Sequence, residues 1–131
     1  MTSITDGPVT DAEETVREET IVEADLERVW HAISDPEGLE GWLADQVSFD
    51  QVPGADASFS VEGEERRGHI DELDPERSFT FTWEREPGIP SRVRIELEPC
   101  VSGIRVIVVE SREGVGVALG RLRTMFSLVA V

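Results

Sequence analysis

Arg67, His69 and Asp71 are the residues of this chain whose types and spacing best suit acid–base chemistry. They occupy alternate positions of a segment with strand-like composition, and residues two apart share one face of a strand. If that face points inward, His69 is a candidate acid or base and Asp71 sets its tautomer. If it points outward, the three side chains form a solvated face with a weak Arg67–Asp71 pair. The outward interpretation is favoured, so His69 is only a weak catalytic candidate.

Other kinds of site have less support in the sequence. The two histidines, His31 and His69, lie far apart among many carboxylates, as an acidic composition produces by chance, so we predict neither a metal site nor a cofactor. Gly114-x-Gly116 lacks the further glycine and the lysine of phosphate-binding loops. The chain contains no lysine and no tyrosine, which removes Schiff-base chemistry and a common general acid. A protein without catalytic activity is therefore favoured.

Composition limits the partners of this chain. The 131 residues carry 12 basic and 28 acidic side chains, so the formal net charge is −16. Such a charge repels nucleic-acid phosphates and anionic lipid headgroups, and we predict no nucleic-acid and no membrane partner. Cys100 is the single cysteine and can form no intrachain disulfide.

The start of the chain is polar and acidic. Residues 1–11 contain Gly7-Pro8 and no apolar run, so they are predicted to be a flexible acidic tail. Residues 12–131 then form the single domain that this length predicts. We expect a cytoplasmic protein, because neither a signal peptide nor a membrane-spanning segment is recognisable.

Hydrophobic periodicity predicts a strand and then two short helices. Residues 15–22 alternate and are rich in β-branched side chains, as in a strand. Four apolar residues then follow helical spacing after the candidate N-cap Asp25: Leu26, Val29, Trp30 and Ile33. Asp35-Pro36 predicts the start of a second helix, whose apolar face is formed by Leu39, Trp42 and Leu43.

From Gln46 onward the period is two, which predicts six more strands joined by turns. Phe79, Phe81 and Trp83 mark the clearest of them, and a loop is predicted over residues 86–90. Helical spacing returns over residues 115–131. The order of elements predicts an α+β domain in which an antiparallel, curved sheet packs against helices on one side.

Four segments of the sequence resemble the heat-shock protein 90 ATPase activator homologue family of the START-like, or SRPBCC, superfamily. The first is Ala24-x-x-x-x-Val29-Trp30-x-x-Ile33-x-Asp35-Pro36, with Trp42 six residues later. The others are residues 68–75 (GHIDELDP), residues 79–83 (FTFTW), and Val93-x-Ile95-x-Leu97-Glu98-Pro99 followed by Gly103. The resemblance extends from about residue 15 to residue 131.

This resemblance implies a helix-grip fold, in which a seven-stranded antiparallel curved sheet surrounds a C-terminal helix and two short helices follow the first strand. It implies a cavity between sheet and helix that takes an apolar or amphipathic small molecule. It also implies two alternatives. One is a protein-interaction module like the chaperone ATPase-activating domain, working with a protein partner or, through the strand predicted over residues 104–109 that is apolar on both faces, as a homodimer. The other is an enzyme resembling polyketide cyclases or hydrolases.

The candidate ligand-binding residues are the apolar side chains expected to line that cavity. They are Trp42, Phe59, Phe81, Trp83, Ile95, Leu122, Met125 and Phe126. The competing interpretation is an ordinary packed core, since each buried aromatic side chain fills about 150–250 Å² of interface. Among them Trp42, on a glycine-weakened helix, is the best candidate for a lid over the cavity.

Overall fold

The computed structural model of the chain describes residues 16–86 and 89–111, with residues 85, 86 and 89 described by their backbone alone. The predicted acidic tail over residues 1–11 and the predicted helix over residues 115–131 lie outside the described residues. Leu122, Met125 and Phe126 of the predicted ligand site lie there too.

Two short helices follow the first strand, as predicted. Helix α1 is Leu26–Ser34, and its N-cap Asp25 accepts a hydrogen bond from the Arg28 backbone N–H at 2.9 Å. Helix α2 is Pro36–Leu39, capped in the same way by Asp35. This second helix is a single turn and is shorter than the sequence predicts, so Trp42 lies in the turn after it. Gly41 in that segment favours helix termination, because glycine has a low helix propensity.

Seven antiparallel strands form one sheet, which confirms the predicted strand number and arrangement. In chain order they are β1 (Val16–Val22), β2 (Gln46–Phe49), β3 (Asp56–Val61), β4 (Glu64–Asp74), β5 (Ser78–Glu86), β6 (Ile89–Cys100) and β7 (Gly103–Glu110). Their order across the sheet is β1-β7-β6-β5-β4-β3-β2. The first strand therefore pairs with the last one, which joins the two ends of the described chain. Strands β5 and β6 extend to Glu86 and from Ile89, so they occupy most of the loop predicted there.

The sheet has an apolar inner face and a charged outer face. The inner face carries Phe59, Phe81, Trp83, Val93 and Ile95, all of them buried in the core. The outer face is made by the alternate residues of the same strands, such as Thr82, Arg92 and Arg94. Helices α1 and α2 contribute Val29, Ile33 and Leu39 to the same core as the inner face.

A β-bulge in β4 shifts the pairing with β5 between Ile70 and Glu72. Asp71 is the extra residue, and the alternation of side chains reverses after it. Leu73, which the sequence places on the face of His69, therefore lies opposite Phe79 and packs against the core.

Candidate functional site

Aromatic rings form a continuous cluster on the inner face. Phe59 of β3 stacks on Phe81 of β5 with ring centroids 5.0 Å apart, and both rings meet Trp83 edge-on at 5.2 and 5.3 Å. Phe79 continues the row, 5.4 Å from Phe81. Offset and edge-on arrangements are the favourable geometries for aromatic pairs. The alternation of β5 places its three rings on one face, as the sequence predicts.

The predicted ligand residues within the described chain are all brought into this one core. Phe59, Phe81 and Ile95 are fully buried, while Trp42 and Trp83 are 1% and 3% exposed. Their side chains therefore form part of the packed interior.

Trp42 is held at the back of this core by a specific hydrogen bond. Its Nε1–H donates to the Ala32 carbonyl oxygen of α1 at 2.9 Å. Because the indole is buried and its polar atom is satisfied, Trp42 fixes the turn after α2 to α1. Trp30 is only partly buried and packs against the edge of the same core.

A polar group lies at one end of the inner face, next to Trp83. Glu110 Oε2 accepts hydrogen bonds from Trp83 Nε1 at 3.1 Å and from the Ser91 hydroxyl at 2.7 Å. Glu110 and Ser91 are each 1% exposed. Burial of a carboxylate is costly unless hydrogen bonds stabilise it. The two hydrogen bonds therefore stabilise Glu110 on an otherwise apolar face.

Arg66 completes this polar end from the other side of Trp83. Its guanidinium carbon lies 4.6 Å from the centre of the Trp83 ring, a cation–π contact. Arg66 pairs with Phe59 in the register between β3 and β4 and is partly buried. The set formed by Arg66, Trp83, Ser91 and Glu110 is called the polar end below.

Three of the four residues of the polar end were not predicted from the sequence, although a signal was present. Ser91 and Glu110 continue the alternation of buried residues along β6 and β7 and so had to face inward. Arg66 alternates with Gly68 and Ile70, on the opposite face of the strand from Arg67 and His69.

The outer face holds the predicted acid–base residues. His69 Nε2 lies 3.1 Å from Asp71 Oδ1, and the Thr82 hydroxyl donates to Asp71 Oδ2 at 2.8 Å. His69 is half exposed. In a catalytic triad the hydroxyl contacts the imidazole, and the carboxylate lies behind the imidazole. Here the Thr82 hydroxyl contacts the Asp71 carboxylate instead of the His69 imidazole, so the hydroxyl is not activated in that way. Arg92 Nε is 4.0 Å from the same carboxylate and takes the place that the sequence assigns to Arg67.

Ion pairs within and between strands occur elsewhere on the outer face. Arg94 contacts Glu72 at 3.1 Å and Glu96 at 2.6 Å, and Arg105 contacts Glu98 at 2.9 Å. The hydrogen bond to Glu96 is the main reason that the pKa of Arg94 is raised above its ordinary value. A depression of about 460 Å³ on this face is lined by polar residues that include Asp56, Ser58, Glu65 and Arg67. Its polarity does not suit an apolar ligand.

Within the described residues, one group has potential metal ligands close together. Ligand atoms of His31, Asp35 and Glu37 lie within 4.8 Å of one another at the junction of the helices. Asp35 Oδ1 already caps α2 there, and its Oδ2 lies 3.5 Å from His31 Nδ1. Helix capping thus accounts for this arrangement. Among the described residues, no helix has the length and apolar character needed to cross a membrane.

Comparison with solved structures identifies the fold. Protein NE0264 from Nitrosomonas europaea matches with a TM-score of 0.74 at 19% identity, over 92% of this chain and 98% of that one. The Aha1 dimer from Colwellia psychrerythraea matches with a TM-score of 0.66 at 15% identity, over 90% and 91%. DynU16, a protein in the dynemicin biosynthetic locus, matches with a TM-score of 0.75 at 23% identity, over 88% of this chain and 48% of that one.

These neighbours share the helix-grip, START-like architecture that the family resemblance implies. No curated protein matches the chain. The family model described as Activator of Hsp90 ATPase homolog 1-like protein matches residues 23–126, which is most of the chain. The chain therefore belongs to the Activator of Hsp90 ATPase homolog 1-like family, within the START-like superfamily.

Proposed function

We propose that this protein binds an apolar or amphipathic small molecule against the inner face of its sheet and does not catalyse a reaction. One observation carries the proposal. An aromatic cluster of Phe59, Phe81 and Trp83 ends in a buried, hydrogen-bonded carboxylate, Glu110. Small-molecule sites combine such an apolar lining with a few fixed polar groups that orient the ligand.

The two ends of the inner face give a ligand a direction. Phe79, Ile95 and Val106 make the far end wholly apolar, whereas the polar end presents charged and hydroxyl groups. Phe59 and Phe81 are fully buried, but Arg66 is only partly buried. The ligand therefore enters at the polar end and lays its apolar part toward Phe81.

Burial of apolar area provides the affinity. Each methylene removed from water contributes about 0.8 kcal/mol, so each added CH₂ in an alkyl ligand should tighten binding about fourfold until the space is filled. The polar end then orients the ligand.

The first experiment is native mass spectrometry of the purified protein, combined with a thermal-shift screen against a lipid extract. A mass adduct that raises the melting temperature is expected, because a ligand that binds only the folded state stabilises it. A uniformly negative screen, together with an inner face found to be completely filled, would overturn the proposal.

Tryptophan fluorescence locates the ligand. We expect an n-alkanol series to change the emission of the protein with a chain-length dependence. Trp83→Phe should remove most of this change, whereas Trp30→Phe, which alters a ring at the edge of the core, should retain it. Retention of the full change in Trp83→Phe would place the ligand elsewhere.

A second candidate function is that of a protein-interaction module. It is favoured by membership of the Activator of Hsp90 ATPase homolog 1-like family and by the similarity of the fold to the Aha1 dimer from Colwellia psychrerythraea. Sedimentation at several protein concentrations tests the homodimer. A filled inner face with a concentration-dependent mass would favour this function over ligand binding.

A further inference from the structure

The position of Arg66 specifies the chemistry of the ligand's polar group. We infer that the bound amphipath carries an acidic head group, a carboxylate or a similar oxyanion, which the Arg66 guanidinium receives at the polar end. The inference rests on the proposed function and adds to it the class of ligand.

Arg66 is placed on the face where a ligand would lie. It pairs with Phe59 in the strand register, and its guanidinium covers the ring of Trp83 at 4.6 Å. The neighbouring residue of the same strand, Arg67, is exposed on the outer face. Arg92, Arg94 and Arg105 lie on that outer face as well, so they cannot reach a ligand on the inner face.

The cation–π contact with Trp83 prepares Arg66 to receive a planar anion. A guanidinium that lies over a ring keeps its N–H donors in its own plane, in the fork geometry that matches two carboxylate oxygens. The contact with Trp83 also restricts the Arg66 side chain before binding, which reduces the entropy lost on binding. Trp83 is itself held by the hydrogen bond to Glu110, so the platform under Arg66 is fixed.

Glu110 is the alternative recognition group, and its environment favours a structural role. It is 1% exposed, and its Oε2 already accepts from Trp83 and Ser91. Arg66 is the more exposed of the two charged groups that contact Trp83. A head group entering at this end meets the guanidinium before it reaches the carboxylate.

The overall charge of the protein and recognition by Arg66 predict opposite ligand preferences. A net charge of −16 attracts cations and repels anions at long range. Bulk electrostatics therefore predicts that a fatty amine binds best, a fatty alcohol next and a fatty acid worst. Recognition by Arg66 predicts the opposite order of affinity, in which the fatty acid binds best and the fatty amine worst.

The test compares decanoate, decanol and decylamine by isothermal titration calorimetry at pH 7.5 and 150 mM salt, below their micelle concentrations. We expect decanoate to bind about ten- to a hundredfold more tightly than decanol, as a charge-assisted bidentate contact allows. Arg66→Gln should abolish this preference and leave the decanol affinity within about threefold, because the apolar contacts stay. Arg67→Gln, with the same charge change on the opposite face of the strand, should keep the preference.

Arg66→Lys distinguishes a loss of head-group recognition from a loss of protein stability. Lysine keeps the positive charge without the planar fork, so it should retain a reduced preference for decanoate. The melting temperatures of all variants are measured. If Arg66→Gln unfolds, the decanoate and decanol affinities of Arg66→Lys are compared with those of the unsubstituted protein instead. Equal affinities for the three ligands, or a preference for decanoate that survives both Arg66 substitutions, would overturn the inference and leave the proposed function intact. Absence of binding by all three amphipaths would overturn the proposed function, and the inference with it.

Discussion

Trp83 and Glu110 lie 27 residues apart in sequence and are joined by a 3.1 Å hydrogen bond from the indole Nε1–H to the carboxylate Oε2. The bond extends from β5 to β7 over the intervening strand β6, which adds its own donor, Ser91. Three strands are therefore tied together at the end of the sheet where the ligand is proposed to enter.

Glu110→Ala should lower the free energy of unfolding by about 3–5 kcal/mol, because it leaves two buried donors without their acceptor. Glu110→Gln should cost less, since an amide oxygen still accepts. The matched control is Glu98→Ala, which removes a surface pair with Arg105 and should cost less than about 1 kcal/mol. Urea denaturation measures all three, and equal losses for the Glu110 and Glu98 variants would contradict the structural role.

Trp83→Ala tests whether this ring is core or pocket wall. If Trp83 is core, the substitution should lower the free energy of unfolding by about 3–5 kcal/mol, through lost burial and the cavity left behind. A much smaller loss, accompanied by abolished ligand binding, would identify the ring as the wall of a pocket. Urea denaturation of the two proteins, together with the alkanol titration, distinguishes the outcomes.

Gly68 allows β4 to approach β5 beside Trp83. A Cβ at this position would overlap the carbonyl oxygen of Thr82, which belongs to the backbone and cannot rotate away. Gly68→Ala should therefore lower the free energy of unfolding by about 3 kcal/mol. Gly63→Ala meets open space and should cost about 1 kcal/mol, from its positive φ alone. A Gly68 variant as stable as the Gly63 variant would show that the strands can separate there.

Trp42→Phe removes the hydrogen bond to Ala32 while keeping most of the apolar side chain. A loss of about 1–3 kcal/mol in the free energy of unfolding is expected, since the Ala32 carbonyl oxygen loses this donor. Ligand affinity should change little, because Trp42 fixes the helical turn to α1. If stability is kept and affinity falls strongly, Trp42 is a lid over the cavity, as the sequence suggests.

His69→Ala should leave ligand binding unchanged, because His69 contacts Asp71 on the outer face and the ligand is proposed for the inner face. The change in unfolding free energy should stay below about 1 kcal/mol, as for other exposed ion pairs. Calorimetry with the alkanols provides the test. Loss of binding in this variant would require the ligand site to be moved to the outer face.

Local pattern was sufficient for most of the fold. Period-two alternation predicted the strands, and the Asp25 and Asp35-Pro36 signals predicted where both helices begin. Alternation along β5 also placed Phe79, Phe81 and Trp83 on one face. These features follow from neighbouring residues, because helix caps and strand periodicity depend on residues a few positions apart.

Long-range contacts decided the features of the fold that the local sequence pattern could not predict. The sequence could not fix the face of His69, and the bulge at Asp71 reversed the alternation after it. Gly38 and Gly41 indicated a weak second helix, but the sequence did not fix that α2 would end after one turn.

By itself, the sequence determined the family, the seven strands and the apolar stripe that becomes the inner face. Only the tertiary structure brought Arg66, Trp83, Ser91 and Glu110 together at one end of that face. The physical reason is that four different strands supply these residues, and the distance between them depends on sheet register and twist. Alternation tells which face a side chain takes, but only the assembled sheet decides which side chains meet.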